Sequence, residues 1–270
     1  MKKQTQAIHL AYERRDAYDS LSVPVYNTLA YEFDNAHIMA EAFTDKIKAP
    51  DYSRVENPTV TNFERRVAAL TDAFHATAFN SGMAAISNTI MALAAQGKNI
   101  VTSKHLFGNT YALLVGTLHR FGVKVRLRDL TNVEEVREAI DDNTCCVFLE
   151  IITNPQMEVA DLKALSEVAH EKHVPLVADT TAIPFTQFSA KELGVDIEVF
   201  SSSKYVSGGA TSLGGVVIDY GTEYNGDFAK RLYGEMLFNF GAYMTPQVAY
   251  MQTIGLETLD ARYRDRKSVV

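Results

Sequence analysis

The run Ser201-Ser202-Ser203-Lys204-Tyr205-Val206-Ser207-Gly208-Gly209 sets one lysine among small hydroxylic residues and glycines, just after the apolar run Ile197 to Phe200. A lysine so placed is open to desolvation and a lowered pKa, the property that a Schiff-base amine requires; the plain alternative is a solvated surface charge. Asp179 closes the run Leu176-Val177-Ala178, and a carboxylate at the end of an apolar strand is costly to bury without a cation beside it. Asn80-Ser81-Gly82-Met83-Ala84-Ala85 puts a glycine at the mouth of a helical pattern. Free N–H groups and the positive end of the helix dipole make such a turn a phosphate seat, although close packing uses the same residue types. Phe107 is either a stacking ring or a core residue, and Asn154 of Asn154-Pro155 either a polar ligand or a loop cap ahead of Asp161. Together these groups form the set that pyridoxal phosphate needs: an amine for its aldehyde, an acid for its pyridine nitrogen, a ring for its face and donors for its dianion.

Such a set works only if a scaffold brings it to one place. From about Thr61 onward, helical patterns alternate with short β-branched runs. Strands are predicted at Ala76–Phe79, Ile100–Thr102, Val123–Leu127, Cys145–Leu149, Leu176–Ala178, Ile197–Phe200 and Gly215–Ile218. Helices are predicted at Phe63–Leu70, Met83–Ala95, Thr110–Arg120, Val133–Ile140 and Asp161–His173. This order implies an α/β fold with a mostly parallel seven-stranded sheet between helices, and ligands outside the carboxyl ends of the strands. Each candidate group above follows a predicted strand. Residues 1–60 carry Pro24, Pro50 and Pro58 without a sustained period and read as an extended N-terminal arm.

Composition narrows the partners. A formal charge of −7 over 270 residues, 47% of them hydrophobic and 22% charged, is that of an ordinary globular chain and offers no basic surface for nucleic acid or anionic lipid. No apolar stretch reaches the roughly 18 residues of a membrane helix, and the first residues lack a secretory apolar region, so the cytoplasm is the expected compartment. Cys145 and Cys146 read as core thiols on opposite faces of a strand. His170-Glu171-Lys172-His173 is H-E-x-H and not the zinc spacing H-E-x-x-H, and reads as solvated helix. No strand leads into G-x-G-x-x-G, which disfavours a nicotinamide enzyme.

Tyr52-Ser53-Arg54 with Asn57-Pro58-Thr59, Ser81-Gly82-Met83-Ala84-Ala85, Asn154-Pro155, Asp179-Thr180-Thr181 and Ser201-Ser202-Ser203-Lys204-Tyr205 occur in an order and at spacings that resemble the Cys/Met-metabolism pyridoxal-phosphate enzymes. The likeness runs from about residue 6 to the end. It implies the large domain of a fold-type-I pyridoxal-phosphate transferase, with Lys204 as the Schiff-base lysine and Asp179 as partner of the pyridinium nitrogen. The Gly82 and Met83 N–H groups, with the Ser81, Ser201 and Ser203 region, match the phosphate cup. Asn154 and Thr181 match groups near the ring, and Phe107 the stacking position. Tyr52 and Arg54 match residues that reach a neighbouring subunit's phosphate, which implies a homodimer or homotetramer with shared sites.

Gly208-Gly209-Ala210-Thr211-Ser212-Leu213-Gly214-Gly215 is most similar to the O-acetylhomoserine sulfhydrylase branch. The implied activity is γ-replacement on an activated homoserine by sulfide or thiol. A γ-lyase acting on methionine or cystathionine, or a non-catalytic cofactor-binding fragment, are the alternatives. Two departures stand out: Phe107 replaces the family's usual Tyr, and Gly209 stands where a His is usual. The expected organisation is an arm over 1–60, a cofactor-binding large domain over 61–255 and the start of a truncated C-terminal domain over 256–270. That domain, in the family, supplies an arginine for the substrate carboxylate.

Overall fold

A computed structural model describes residues 2–10, 16–44 and 46–265. One sheet holds β1 (His75–Phe79), β2 (Asn99–Ser103), β3 (Lys124–Arg128), β4 (Thr144–Glu150), β5 (Leu176–Asp179), β6 (Ile197–Phe200) and β7 (Gly215–Asp219), in the spatial order β1-β7-β6-β5-β4-β2-β3. The pairings from β6 through β3 are parallel, and β7 alone runs against both its neighbours. All seven predicted strands are present in the predicted, mostly parallel arrangement. The α-helices are α1 (Lys3–His9), α2 (Ala36–Phe43), α3 (Pro58–Thr71), α4 (Gly82–Leu93), α5 (Gly108–Ala112), α6 (Val133–Ala139), α7 (Leu162–Glu171), α8 (Phe228–Arg231), α9 (Phe238–Phe240) and α10 (Pro246–Arg264).

Side-chain alternation buries both faces of the sheet. Val147 and Leu149 of β4 and Leu176 and Ala178 of β5 face one core, which Phe63 and Val67 of α3, Leu165 of α7 and Leu256 of α10 close. Phe148 and Val177 face the other, closed by Ile86 and Ile90 of α4 and by Leu114 and Leu118. Helix starts follow local chemistry. Asn57 and Pro58 open α3, the Asp161 side chain accepts from Ala164 N–H to open α7, and Thr245 with Pro246 opens α10.

Four sequence expectations change. The segment read as an extended arm folds in part into α1 and α2. Ala7 is the one buried residue of α1, and Arg66 of α3 donates to its carbonyl at 2.7 Å. A helix with one buried residue leaves no period to read. The two cysteines do not take opposite faces. Ile100 of β2 pairs with Cys146 while Asn99 pairs with Thr144, so Cys145 is the extra residue of a bulge and both thiols pack on the same core. His170 is not solvated: its Nε2 lies 2.8 Å from the buried Asp196 carboxylate. The helix predicted at Thr110–Arg120 changes pitch, from α5 to a π turn at Leu113–Thr117 and a 3-10 turn at Leu118–Phe121, before Gly122 ends it at φ 78°. Helix α10 runs unbroken across residues 255 and 256, with Leu256 and Leu259 buried in the first core. The part of that helical pattern beyond residue 265 lies outside the described residues. No helix among the described residues is long and apolar enough to cross a membrane.

Candidate active site

The cleft at the carboxyl edge of the sheet starts with α4. Ser81 caps the helix, its Oγ accepting from Ala84 N–H at 3.1 Å. The N–H groups of Gly82 and Met83 precede the first intrahelical bond and have no acceptor within the helix; both residues line the cleft. A Cβ at Gly82 would lie 2.7 Å from Ser201 Cβ, and one at Gly215 would lie 2.2 Å from the Ser81 carbonyl oxygen. The helix start, β7 and the lysine loop therefore meet at a distance that only glycine permits, which makes a cradle of backbone donors.

The lysine loop is held from several sides. Ser201 N–H donates to Thr181 Oγ1 at 2.9 Å, and Ser203 Oγ donates to Gly214 O at 3.0 Å while accepting from Gly214 N–H at 2.8 Å. Arg262 Nη1 of α10 donates to Tyr205 O at 2.8 Å. Gly255 of α10 lies against Val206 O, 1.8 Å from where a Cβ would stand. Lys204 itself is exposed at the cleft wall, not buried as its neighbours suggested. The Ser203 and Ser207 hydroxyls bond to the loop's own backbone, and the lysine is turned out into the cleft.

Asp179 ends β5 at the cleft floor. Its Oδ1 accepts from Thr181 N–H at 2.9 Å, and burial pushes its carboxyl above the ordinary value while that bond pulls it back. Among the described residues Asp179 forms no ion pair. A cation within the cleft would supply the missing compensation, which is what a protonated pyridine ring offers.

The cleft has a volume of about 880 Å³, and Ser81, Gly82, Met83, Phe107, Asn154, Asp179, Thr181, Ser201, Ser203 and Lys204 all line it. That space admits pyridoxal phosphate with an amino acid beside it. Phe107 is 46% exposed and lines the cleft, so it does not belong to the core. Tyr52 and Arg54 are not brought to this cleft. Arg54 donates to Phe238 O and its guanidinium stands 5.1 Å from the Tyr52 ring centroid. Sequence reasoning passed over Glu150, at the end of β4 and beside Asp179 in register, which also lines the cleft. Its signal was the same as that of Asp179, an acid closing an apolar strand.

A proposed O-acetylhomoserine (thiol)-lyase from Campylobacter jejuni, solved with an N'-pyridoxyl-lysine-5'-monophosphate residue, superimposes with a TM-score of 0.91 and 31% identity, over 97% of this chain and 71% of its own. Fold and cleft thus define the class, pyridoxal-phosphate-dependent enzymes of fold type I. Within it, the chain belongs to the Cys/Met metabolism PLP-dependent enzymes, whose sequence pattern matches residues 4–269. O-acetyl-L-homoserine sulfhydrylase of Corynebacterium glutamicum is 37% identical over 92% of the chain, and L-methionine gamma-lyase of Fusobacterium nucleatum is 38% identical over 96%. The chain spans 56% and 64% of the lengths of those two proteins.

Proposed function

We propose that this chain is the cofactor-binding part of an enzyme that replaces the γ substituent of an activated homoserine, such as O-acetylhomoserine, with sulfide or a small thiol. The observation that carries the reading is the convergence of Lys204, Asp179, Phe107 and the start of α4 on one cleft. Lys204 Nζ would supply the amine for the cofactor's aldehyde, and Gly82 and Met83 N–H with Ser201 would receive its phosphate. Ser203, whose hydroxyl is held by Gly214, lines the cleft beside them. Phe107 would cover the ring, Asn154 and Thr181 would lie near it, and Asp179 would pair with its protonated nitrogen. Bound there, pyridoxal phosphate supplies an electron sink for negative charge at the substrate's Cα. Lys204 Nζ, exposed in the cleft, takes the proton from Cα and returns it.

Phe107 favours replacement on an activated homoserine over elimination from methionine. Its ring has no hydroxyl and donates no proton. A departing acetate is a stable anion, its acid titrating at about pH 4 to 5, whereas a departing thiolate belongs to a thiol titrating at about pH 8.5 and gains more from an acid at hand. The γ-lyase reading keeps its place because relatives of both activities match about equally well.

Tyr52 and Arg54 lie off their own cleft, which supports an oligomer in which they complete a neighbour's phosphate site; Arg suits that task through paired N–H donors. Mixing an Arg54→Ala protomer with a Lys204→Ala protomer is expected to restore a fraction of the sites, and proven subunit exchange without restoration counts against sharing. For the chemistry, borohydride treatment should fix the cofactor on Lys204, read by peptide mapping. O-acetylhomoserine, O-succinylhomoserine, methionine and cystathionine, each with and without sulfide, then separate replacement from elimination. A colourless chain that takes up no pyridoxal phosphate sinks the whole reading.

A further inference from the structure

Glu150 has no part in the roles assigned above, yet it occupies a singular position. Its two carboxyl oxygens serve two different segments of the cleft wall: one accepts from Phe107 N–H and the other from Asn154 N–H, the latter at 3.2 Å. The side chain is buried. It lines the main cleft on one side and, on the other, a cavity of about 10 Å³ bounded by Ser103, Thr131, Thr153 and Glu158. That cavity is about the size of a single water molecule.

We propose that Glu150 is a positioning residue: one carboxyl group ties the turn bearing Phe107 to the turn bearing Asn154, and its proton sets how firmly the two walls of the ring slot are held. The occupant of that slot rests on the cofactor reading above; the tie is a property of the protein alone.

An ionised carboxylate accepts on both oxygens, whereas the neutral acid keeps one oxygen partly as a donor and weakens one of the two bonds. Burial pushes Glu150 up to about 7, and Asp179 beside it on β5 pushes the same way, while the two N–H bonds pull it down. The other charged or titratable groups around it are His105, 2.7 Å from Glu158, Asp129 beyond Thr131, and Lys204 and Tyr205 across the cleft. As pH rises through about 7 the carboxylate forms and both ties strengthen; as pH falls below it they loosen.

The test labels phenylalanine and asparagine nitrogen isotopically and follows the Phe107 and Asn154 amide resonances, assigned by Phe107→Leu and Asn154→Ser, through a pH titration without cofactor. The expected result is a common midpoint near pH 7 in both resonances, lost from both in Glu150→Gln. Independent midpoints, no titration, or a shared titration that survives Glu150→Gln overturn the proposal. The wild-type titration decides even where the variant fails to fold. Pyridoxal phosphate affinity, read by equilibrium dialysis, is expected to be about tenfold weaker in Glu150→Gln above the midpoint and nearly equal to wild type below it. An equal loss at both pH values overturns the role of the proton. A common midpoint in a chain that binds no pyridoxal phosphate upholds the tie and rejects the cofactor reading.

Discussion

The two ends of the central strands both carry buried acids, and they treat them in opposite ways. At the amino end, Asp196 is fully buried and fully engaged. It accepts from Leu176 N–H at 2.7 Å, from Thr222 Oγ1 at 2.5 Å and, through Oδ2, lies 2.8 Å from His170 Nε2. His170 in turn stacks on Tyr224 with centroids 3.8 Å apart, and Asn225 joins Asp196 O to Asp219 Oδ1. At the carboxyl end, Asp179 has its one N–H bond from Thr181 and no ion pair among the described residues, while Lys204 stands exposed across the cleft. A satisfied network locks a structure in place. Charges that face one cleft without pairing are held for a ligand, and the difference separates a structural cluster from a candidate site better than burial or residue type does.

Substitutions at the two ends should therefore fail in different measurements. The largest effect is expected for Lys204→Ala: turnover falls by about a thousandfold or more, the borohydride label disappears, and stability moves by less than about 0.5 kcal/mol because the side chain is exposed. A large drop in melting temperature would make Lys204 a structural residue. Asp196→Ala reverses the pattern. It should cost about 3 kcal/mol of stability, since it leaves a backbone N–H and His170 without their acceptor, and leave the pyridoxal phosphate affinity of the folded protein unchanged. A weakened cofactor site with normal stability would erase the distinction between the two ends.

Within the cleft, Phe107→Tyr should raise methionine elimination about tenfold more than O-acetylhomoserine replacement, the gain from a proton donor being greater for the poorer leaving group. Equal gains in the two assays would mean that proton donation to the leaving group is not what the missing phenol changes. The smallest effect concerns Glu64, an acid at neither end, whose carboxylate accepts from Ala78 N–H at 2.7 Å. Burial pushes it from its ordinary 4.5 up to about 8. A carboxyl with a raised folded-state pKa favours folding most when protonated, so this contribution is lost as pH rises from 4.5 through about 8. Glu64→Gln, which keeps an acceptor for Ala78, should then be more stable than the parent above that range and equal to it at acid pH. Parallel stability curves in urea melts across pH would refute the assignment.

Much of the candidate site is legible in the sequence. Lys204, Asp179, Gly82 and Asn154 each follow an apolar β-branched run, and in a parallel sheet every such run ends on the same edge. The positions of these groups were thus carried by local pattern plus one topological rule. Glu150 follows the same rule, but no residue pattern reveals that its two oxygens reach Phe107 and Asn154, 43 residues before it and 4 after it. His170 looked solvated for a similar reason. Its partner Asp196 lies 26 residues away, and a helix position that faces an acid has the same residue types as one that faces water.

Strands, helix starts and their order follow from contacts within a few residues: β-branched runs, the Ser81 and Asp161 caps, the Pro58 and Pro246 openings. Those contacts are written in the chain, and the likeness to a known family adds the chemistry that such an edge performs. Exposure and partnership depend on contacts between segments far apart in the chain. Lys204 is turned outward because Ser203 bonds to Gly214 and α10 is pinned on Tyr205 O. Cys145 shares a face with Cys146 because β2 skips a residue beside it, and α1 forms because α3 offers Ala7 a place to pack. A local pattern carries no term for a neighbour that arrives only on folding, and for that reason the inventory of the cleft could be read from the residues while its geometry could not.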